Sequence, residues 1–284
     1  MGAISAGAAV AAVAVLAGCE AAPMETESVF QAIAPAPPTP AEAAAWMFDP
    51  YDADKRFRGT VLLANAPFGG ESVYLRGYRA HLSDSDASVR AAAAFALGRH
   101  GSPEDVPAIA PLTRDADRLV RLNAVRALQR LHNPEAIPFL LERVQFVEVT
   151  PTGQRGFEEE ADVRAEAAYA LGQYADDRVL QGLIAALRDP RLSVTRNAAA
   201  SLRTLTGQDF GDDHRSWFRW AATAKNPFAG RLPYTYPAFS RDRALVEWLP
   251  FWPPPPNEEP GTPAGMPPIS AEPGGGEGGE GEAG

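Results

Sequence analysis

Between about residues 50 and 225 the apolar positions recur with the period of a helix rather than a strand. Four stretches align without gaps: "ASVRAAAAFALGRHG" from Ala87, "RLVRLNAVRALQRLH" from Arg118, "ADVRAEAAYALGQYA" from Ala161 and "LSVTRNAAASLRTLT" from Leu192. Their anchor valines, Val89, Val120, Val163 and Val194, are spaced 31, 43 and 31 residues apart. Four positions on stands Ala93, Ala124, Ala167 or Ala198, and eight positions on stands Leu97, Leu128, Leu171 or Leu202. The seventh is small each time: Ala96, Ala127, Ala170, Ser201. A stripe at 0, +4, +7 and +8 is one face of an amphipathic helix, and the alanines let a neighbouring helix approach closely.

Each of these helices is preceded by a second apolar stretch: "SVYLRGYRAHLSD", "PEDVPAIAPLTRD", "NPEAIPFLLERVQ" and "DRVLQGLIAALRD". Several open on proline or an acid, which suits a first helical turn whose N–H groups lack partners. The unit is therefore a helical hairpin of about 31 residues. "DKRFRGTVLLAN", with Phe57 and Arg58 standing 32 residues before Val89 and Arg90, reads as a degenerate half-unit capping the array. Such hairpins cannot bury their apolar faces alone, so they must stack into a solenoid with one continuous core. The expected fold is all-α.

Composition changes the picture only at the ends. An apolar share of 45% is ample for a core, while the net charge of −10 is unevenly placed. From Glu71 to Arg203 there are 18 acidic and 17 basic residues, the latter all arginine, so the repeats are near neutral and give no argument for a nucleic-acid partner. Residues 3–17 are small or apolar and uncharged, shorter than a bilayer span of about 20 residues but suited to the core of a signal peptide. They run into "LAGC", which resembles the bacterial lipobox, so Cys19, the sole cysteine, is expected to be cleaved free at its amino side and acylated; an uncleaved apolar anchor is the alternative. The charged n-region of such peptides is missing ahead of the run. The expected map is a lipoprotein signal peptide (1–18), a disordered Pro/Ala-rich tether (19–45), the repeat domain (46–225), an aromatic and Pro-rich extension (226–252) and a disordered Pro/Gly/Glu-rich tail (253–284).

The repeats resemble HEAT-like repeats of the phycobilin-lyase type, whose pattern is an acid followed by V-R-x-x-A-x-x-A-L-G. The first unit matches through Asp86, Val89, Arg90, Leu97 and Gly98, the third through Glu160, Val163, Arg164, Leu171 and Gly172. The second keeps Asp117 and Arg121 but has Gln129 for the glycine, and the fourth departs at Arg191, Thr195 and Arg203. The resemblance implies a right-handed α-solenoid of about four hairpins. Asp86, Arg90, Asp117, Arg121, Glu160 and Arg164 would then stack as a ladder of ion pairs between units, or less simply as a charged ligand site. The closing segments "LTGQDFGDDHRSWFRWAATAKNPF" and "PFAGRLPYTYP" with "WPPPPNEEP" are similar to those of HEAT-repeat lipoproteins of planctomycete-like bacteria.

In the first of these, Gly207 is placed to end a helix and Asp212 or Asp213 to begin another, whose Trp217 and Trp220 stand one turn apart and would cover the last apolar face. An aromatic ligand site there is the minor alternative. His81, His100, His132 and His214 are scattered, without H-x-x-x-H, C-x-x-C or H-E-x-x-H spacing, so no metal is expected. No nucleophile elbow, Walker loop or dinucleotide fingerprint occurs, and no cofactor is expected.

What remains is the outer surface of the second helices, at +3, +6 and +10 from each valine. Phe95, Arg126 and Tyr169 would form a row on the concave side, flanked by Arg99, Arg130 and Gln173; aromatic and arginine side chains are favoured interface anchors. They could equally be half-buried aromatics and solvated arginines. Twelve extra residues in the third unit, within "VQFVEVTPTGQRGFEEE", lengthen a turn that either contacts a partner or is simply tolerated. The expectation is a non-catalytic, lipid-anchored scaffold in the cell envelope, on the periplasmic side or cell surface, binding a protein or envelope component. The alternatives are an enzyme or chromophore-handling protein of the phycobilin-lyase-like class and, disfavoured by charge, a HEAT-type DNA glycosylase.

Overall fold

The structure, a computed structural model, describes residues 38–145, 158–237 and 260–268. Eleven α-helices lie among the described residues: α1 (Pro40–Met47), α2 (Ala53–Asn65), α3 (Ser72–His81), α4 (Ala87–His100), α5 (Val106–Ile109), α6 (Arg118–Arg130), α7 (Ile137–Val144), α8 (Ala161–Leu171), α9 (Asp177–Ala186), α10 (Leu192–Thr206) and α11 (His214–Ala221). No strand occurs among those residues, only two isolated bridges, Leu131 with Ala264 and Tyr236 with Gly261. Residues from Pro40 onward form one unit, and Met1–Thr39 fall almost wholly outside the description.

The four seam helices start where the pattern places them, and the first two, α4 and α6, have a side-chain cap at that start. Asp86 accepts hydrogen bonds from the amides of Ser88 and Val89, and Asp117 from those of Leu119 and Val120, satisfying donors that the first turn leaves orphaned. Asp52, Asp176 and Asp213 do the same for α2, α9 and α11. Gly207 ends α10 in the left-handed conformation, φ 69°, which only glycine enters without strain.

Stacking runs in sequence order: α2 lies on α4, α4 on α6, α6 on α8 and α8 on α10. All four anchor valines, their +4 alanines and their +8 leucines are 0% exposed, so the seam is the interior. At Gly98 an added Cβ would lie 2.9 Å from Ala127 Cα, so the backbones of α4 and α6 touch there. The second unit's Gln129 instead turns its amide to the Glu166 carbonyl at 3.1 Å and the Glu166 carboxylate at 2.6 Å.

Three expectations about the elements are corrected. The tether ends at residue 39 rather than 45, because α1 packs on α2 through buried Ala43 and Met47. The N-terminal half-unit is consequently a full pair, with α1 as its first helix and α2, which holds "DKRFRGTVLLAN", as its second. The stretch "PEDVPAIAPLTRD" is not one helix: Pro103, Pro107 and Pro111 fall every fourth residue, and each removes an N–H and restarts the chain. It becomes a 3-10 turn, the four-residue α5 and a second 3-10 turn. The expected tail beyond 253 also contains residues 260–268 seated against the solenoid, Pro263 buried among them. No described helix is long and apolar enough to cross a membrane. Cys19, the signal peptide, residues 146–157 of the long turn and residues 238–252 of the extension lie outside the described residues.

Candidate protein-binding face

The arginine ladder forms, but with partners other than those the pattern proposed. Arg90 forks onto Asp115 at 2.8 and 3.0 Å, Arg121 onto Glu158 at 2.8 and 3.0 Å, and Arg164 onto Asp189 at 2.7 and 3.2 Å. Each acid stands two residues ahead of a helix cap in the next unit and also accepts the amide of that cap residue, at Asp117, Glu160 and Arg191. Each arginine's remaining Nη1 donates to two carbonyls of its own preceding turn, such as Asp84 and Ser85 for Arg90. Asp86 and Asp117 are therefore caps, not ladder partners, since a carboxylate at the helix start is consumed by its own first-turn amides. Glu160 makes no side-chain cap and sits 3.5 Å from Arg118. Arg56 extends the ladder with Asp84 at 2.8 and 2.9 Å, so Arg56, not Arg58, is the counterpart of Arg90.

Burial pushes the carboxyls of Asp84 and Asp115 up, but the arginine forks and the cap amides outweigh it and hold both below the ordinary carboxylate value. The bidentate geometry makes this a register device between units rather than a reactive site.

The C-terminal end is covered by α11. Trp217 is wholly buried, donates its indole N–H to the Gly211 carbonyl at 2.8 Å, and meets Phe210 edge-on; Trp220 packs against both rings. The four histidines have separate surroundings. His81 meets Thr60, His100 the Ala64 carbonyl, His132 the Gln173 amide oxygen, and His214 stacks on Phe218. No group of three or more potential metal ligands occurs among the described residues.

The row proposed for binding divides in two. Phe95 lines an open cleft of about 260 Å³ with Phe57, Val61, Ala92, Leu119 and Asn123, and Arg99 lies 5.7 Å above its ring and bonds Asn65. Arg126 pairs with Glu166 at 3.0 Å. Beyond this point the chain's own extension lies on the face. The Tyr169 hydroxyl donates to the Thr235 carbonyl at 2.9 Å and its ring meets buried Tyr234, while Arg130 stacks 4.8 Å over Tyr236. Gln173 is not on the surface at all: it is 0% exposed, donates to the carbonyls of Leu128 and Ala170, and its amide oxygen meets His132. The reason is that α8 ends at Leu171, so the +10 position no longer follows the helix. Arg231 of the extension then donates to the Gln173 carbonyl at 2.6 Å, and the Leu232 amide to the Thr204 carbonyl at 2.7 Å.

No pattern in the extension announces which carbonyls it caps. Its one legible signal was the alternation of tyrosine and proline in "PYTYP".

Residues 77–145 match the family model for HEAT repeats, and residues 163–189 that for the PBS lyase HEAT-like repeat. No curated protein matches the chain significantly. Among solved structures, the Escherichia coli protein YibA is 18% identical over 64% of this chain and 67% of its own, with a TM-score of 0.45. A designed armadillo repeat protein in complex with the peptide (KR)4 is 16% identical over 64% of this chain and 87% of its own, TM-score 0.46. The matched segments hold α4, α6 and most of α8, and they are similar to HEAT-type repeats within an all-helical stack.

Proposed function

We propose that the chain is a membrane-anchored lipoprotein whose HEAT solenoid serves as a non-catalytic scaffold in the cell envelope, holding an extended segment of a partner protein in the cleft on α2, α4 and α6. One observation carries this: among the described residues, the chain's own extended polypeptide covers the second-helix face at α8 and α10, reaches α6 at Arg130, and leaves open the apolar cleft of Phe57, Phe95 and Leu119 on α2, α4 and α6. A partner segment with aliphatic or aromatic side chains would bury Phe57, Phe95 and Leu119, the first and last of which are 38% and 55% exposed. Arg99 and Arg126 at the rim suit carboxylates or carbonyls on that segment. The anchor rests on the lone Cys19 after an apolar run; a processed lipoprotein carries two or three acyl chains, enough for stable attachment.

The test is comparative capture from native membranes. A partner retained by the unaltered protein and lost with Phe95→Glu plus Leu119→Glu supports the cleft, and an identical partner set for both refutes it. Mass spectrometry of the N-terminal peptide tests the anchor: an acylated Cys19 at the new terminus is expected, and an unmodified thiol following intact residues 1–18 excludes it.

A further inference from the structure

Residues 261–266, Gly-Thr-Pro-Ala-Gly-Met, lie along the exit of α6 as a bound peptide would. The Ala264 amide donates to the Arg130 carbonyl at 2.8 Å, and the Ala264 carbonyl accepts the His132 amide at 2.8 Å. This is a parallel bridge on both sides of Leu131, made to main chain that the helix end leaves without internal partners. Pro263 is the buried side chain, whereas Thr262 and Ala264 are exposed. Two glycines fix the fit. A Cβ on Gly261 would fall 2.2 Å from the Tyr236 hydroxyl, and one on Gly265, where φ is +78°, would fall 2.4 Å from the Pro103 ring. The receiving surface is held independently of its occupant: Asn133 donates to the Pro103 carbonyl at 3.1 Å, and the Tyr174 hydroxyl donates to the Asn133 carbonyl at 3.1 Å.

We propose that the α6 exit is a peptide-recognition site for an extended Gly-x-Pro-x-Gly segment, filled in cis by residues 261–265 and opened to a partner polypeptide with the same core by displacement. Main-chain pairing supplies affinity without regard to sequence, a buried proline supplies a hydrophobic peg, the positive φ and the Pro103 ring demand glycine at 265, and the Tyr236 hydroxyl crowds any side chain at 261. The occupant is an outlying part of the chain, separated from the solenoid's last helix by the whole extension. A cis segment of this kind competes at an effective concentration in the millimolar range, so an outside peptide binds weakly until the internal one is removed. The site lies at the opposite end of α6 from Leu119, and it stands or falls apart from the cleft proposed above.

The experiment uses the full-length protein and a labelled synthetic peptide of residues 259–268. Gly265→Val, which strains the internal segment without altering the receiving surface, is expected to bind the peptide at least tenfold more tightly than the unaltered chain. A peptide carrying the same Gly265→Val change is expected not to bind. Equal affinity for both proteins, or no binding to a Gly265→Val chain that keeps its helical signal and melting temperature, overturns the proposal. If that variant is poorly folded, hydrogen exchange on the unaltered chain decides: excess peptide should speed exchange of the chain's own Ala264 amide while His132 stays protected, and no change at Ala264 refutes displacement. Concentration-dependent dimers that exchange this segment would replace the partner polypeptide by a second copy and equally overturn it.

Discussion

The two halves of the second-helix face are built on one repeat and treated in opposite ways. On α2, α4 and α6 the outward positions are Phe57, Val61, Phe95 and Leu119, and among the described residues no extended segment lies over them. On α8 and α10 the same layer is roofed by Tyr234, Thr235 and Leu232, which satisfy the Tyr169 hydroxyl and the Thr204 carbonyl near the end of α10. The two end rungs of the ladder differ in the same direction, although Arg90 and Asp115 between them are the most open, at 19% and 13%. Side-chain exposure is 14% and 9% for Arg56 and Asp84 but 2% and 1% for Arg164 and Asp189. A HEAT-type stack sets helix spacing and register alike in every unit; what differs is which surface the chain leaves for others.

The largest break in that comparison should come from the buried rung. Arg164→Ala strands the Asp189 carboxylate in the interior and should cost about 3–5 kcal/mol, as for other buried pairs deprived of one member. Arg56→Ala, at the more open end, should cost about 1–3 kcal/mol. Urea midpoints of the two variants measure the gradient directly, and equal losses would mean that the two ends are not differently buried.

Acid sharpens the contrast next. The carboxyls of Asp84 and Asp115 are held below their unfolded values, so their contribution is complete above about pH 4 and is lost as pH falls through the lowered folded values. His81 acts at higher pH. Burial depresses its folded value, with nearby Asp84 opposing and Arg56 adding, so the neutral ring's contribution is full above about pH 6.5 and declines as pH falls below that. Denaturant midpoints should therefore drop between pH 7.5 and 5.5 and again below pH 4. His81→Gln should shrink the first step, which buried His132 shares, and Asp84→Asn the second, which Asp115 shares.

The seam, the helix starts and the tryptophan cap were legible because they rest on local spacing. Val89 to Leu97 lie within three turns of one helix, and a cap acts within three residues of itself. The ladder partners were missed because Arg90 and Asp115 are 25 residues apart, while the conspicuous nearby acid, Asp86, is used up by its own helix start. A signal did exist: an acid two residues before the cap recurs at Asp84, Asp115, Glu158 and Asp189. α1 was hidden by "APAPPTPAEAAA", whose composition resembles a tether, and only packing against α2 reveals Ala43 and Met47 as core. Gln173 was misplaced by carrying a helical period two residues past the end of its helix. Residues 260–268 could not be read at all, since glycine and proline gain meaning there only from Tyr236 and Pro103 opposite them.

The finer edge of the comparison lies in two mild substitutions. Tyr169→Phe removes one hydrogen bond to the roof and should cost about 0.5–1.5 kcal/mol, with faster proteolysis across residues 231–236 as its nearer readout. Leu119→Ala removes apolar surface that is already 55% exposed, so its effect on stability should stay within about 0.5 kcal/mol. Its value is that it separates two explanations for an apolar residue on an open face. If Leu119 has no part in recognition, Leu119→Ala leaves capture of a partner unchanged. If the bare half is kept apolar for recognition, the same substitution leaves the urea midpoint where it was and weakens capture several-fold, because the area it removes is buried only in the complex.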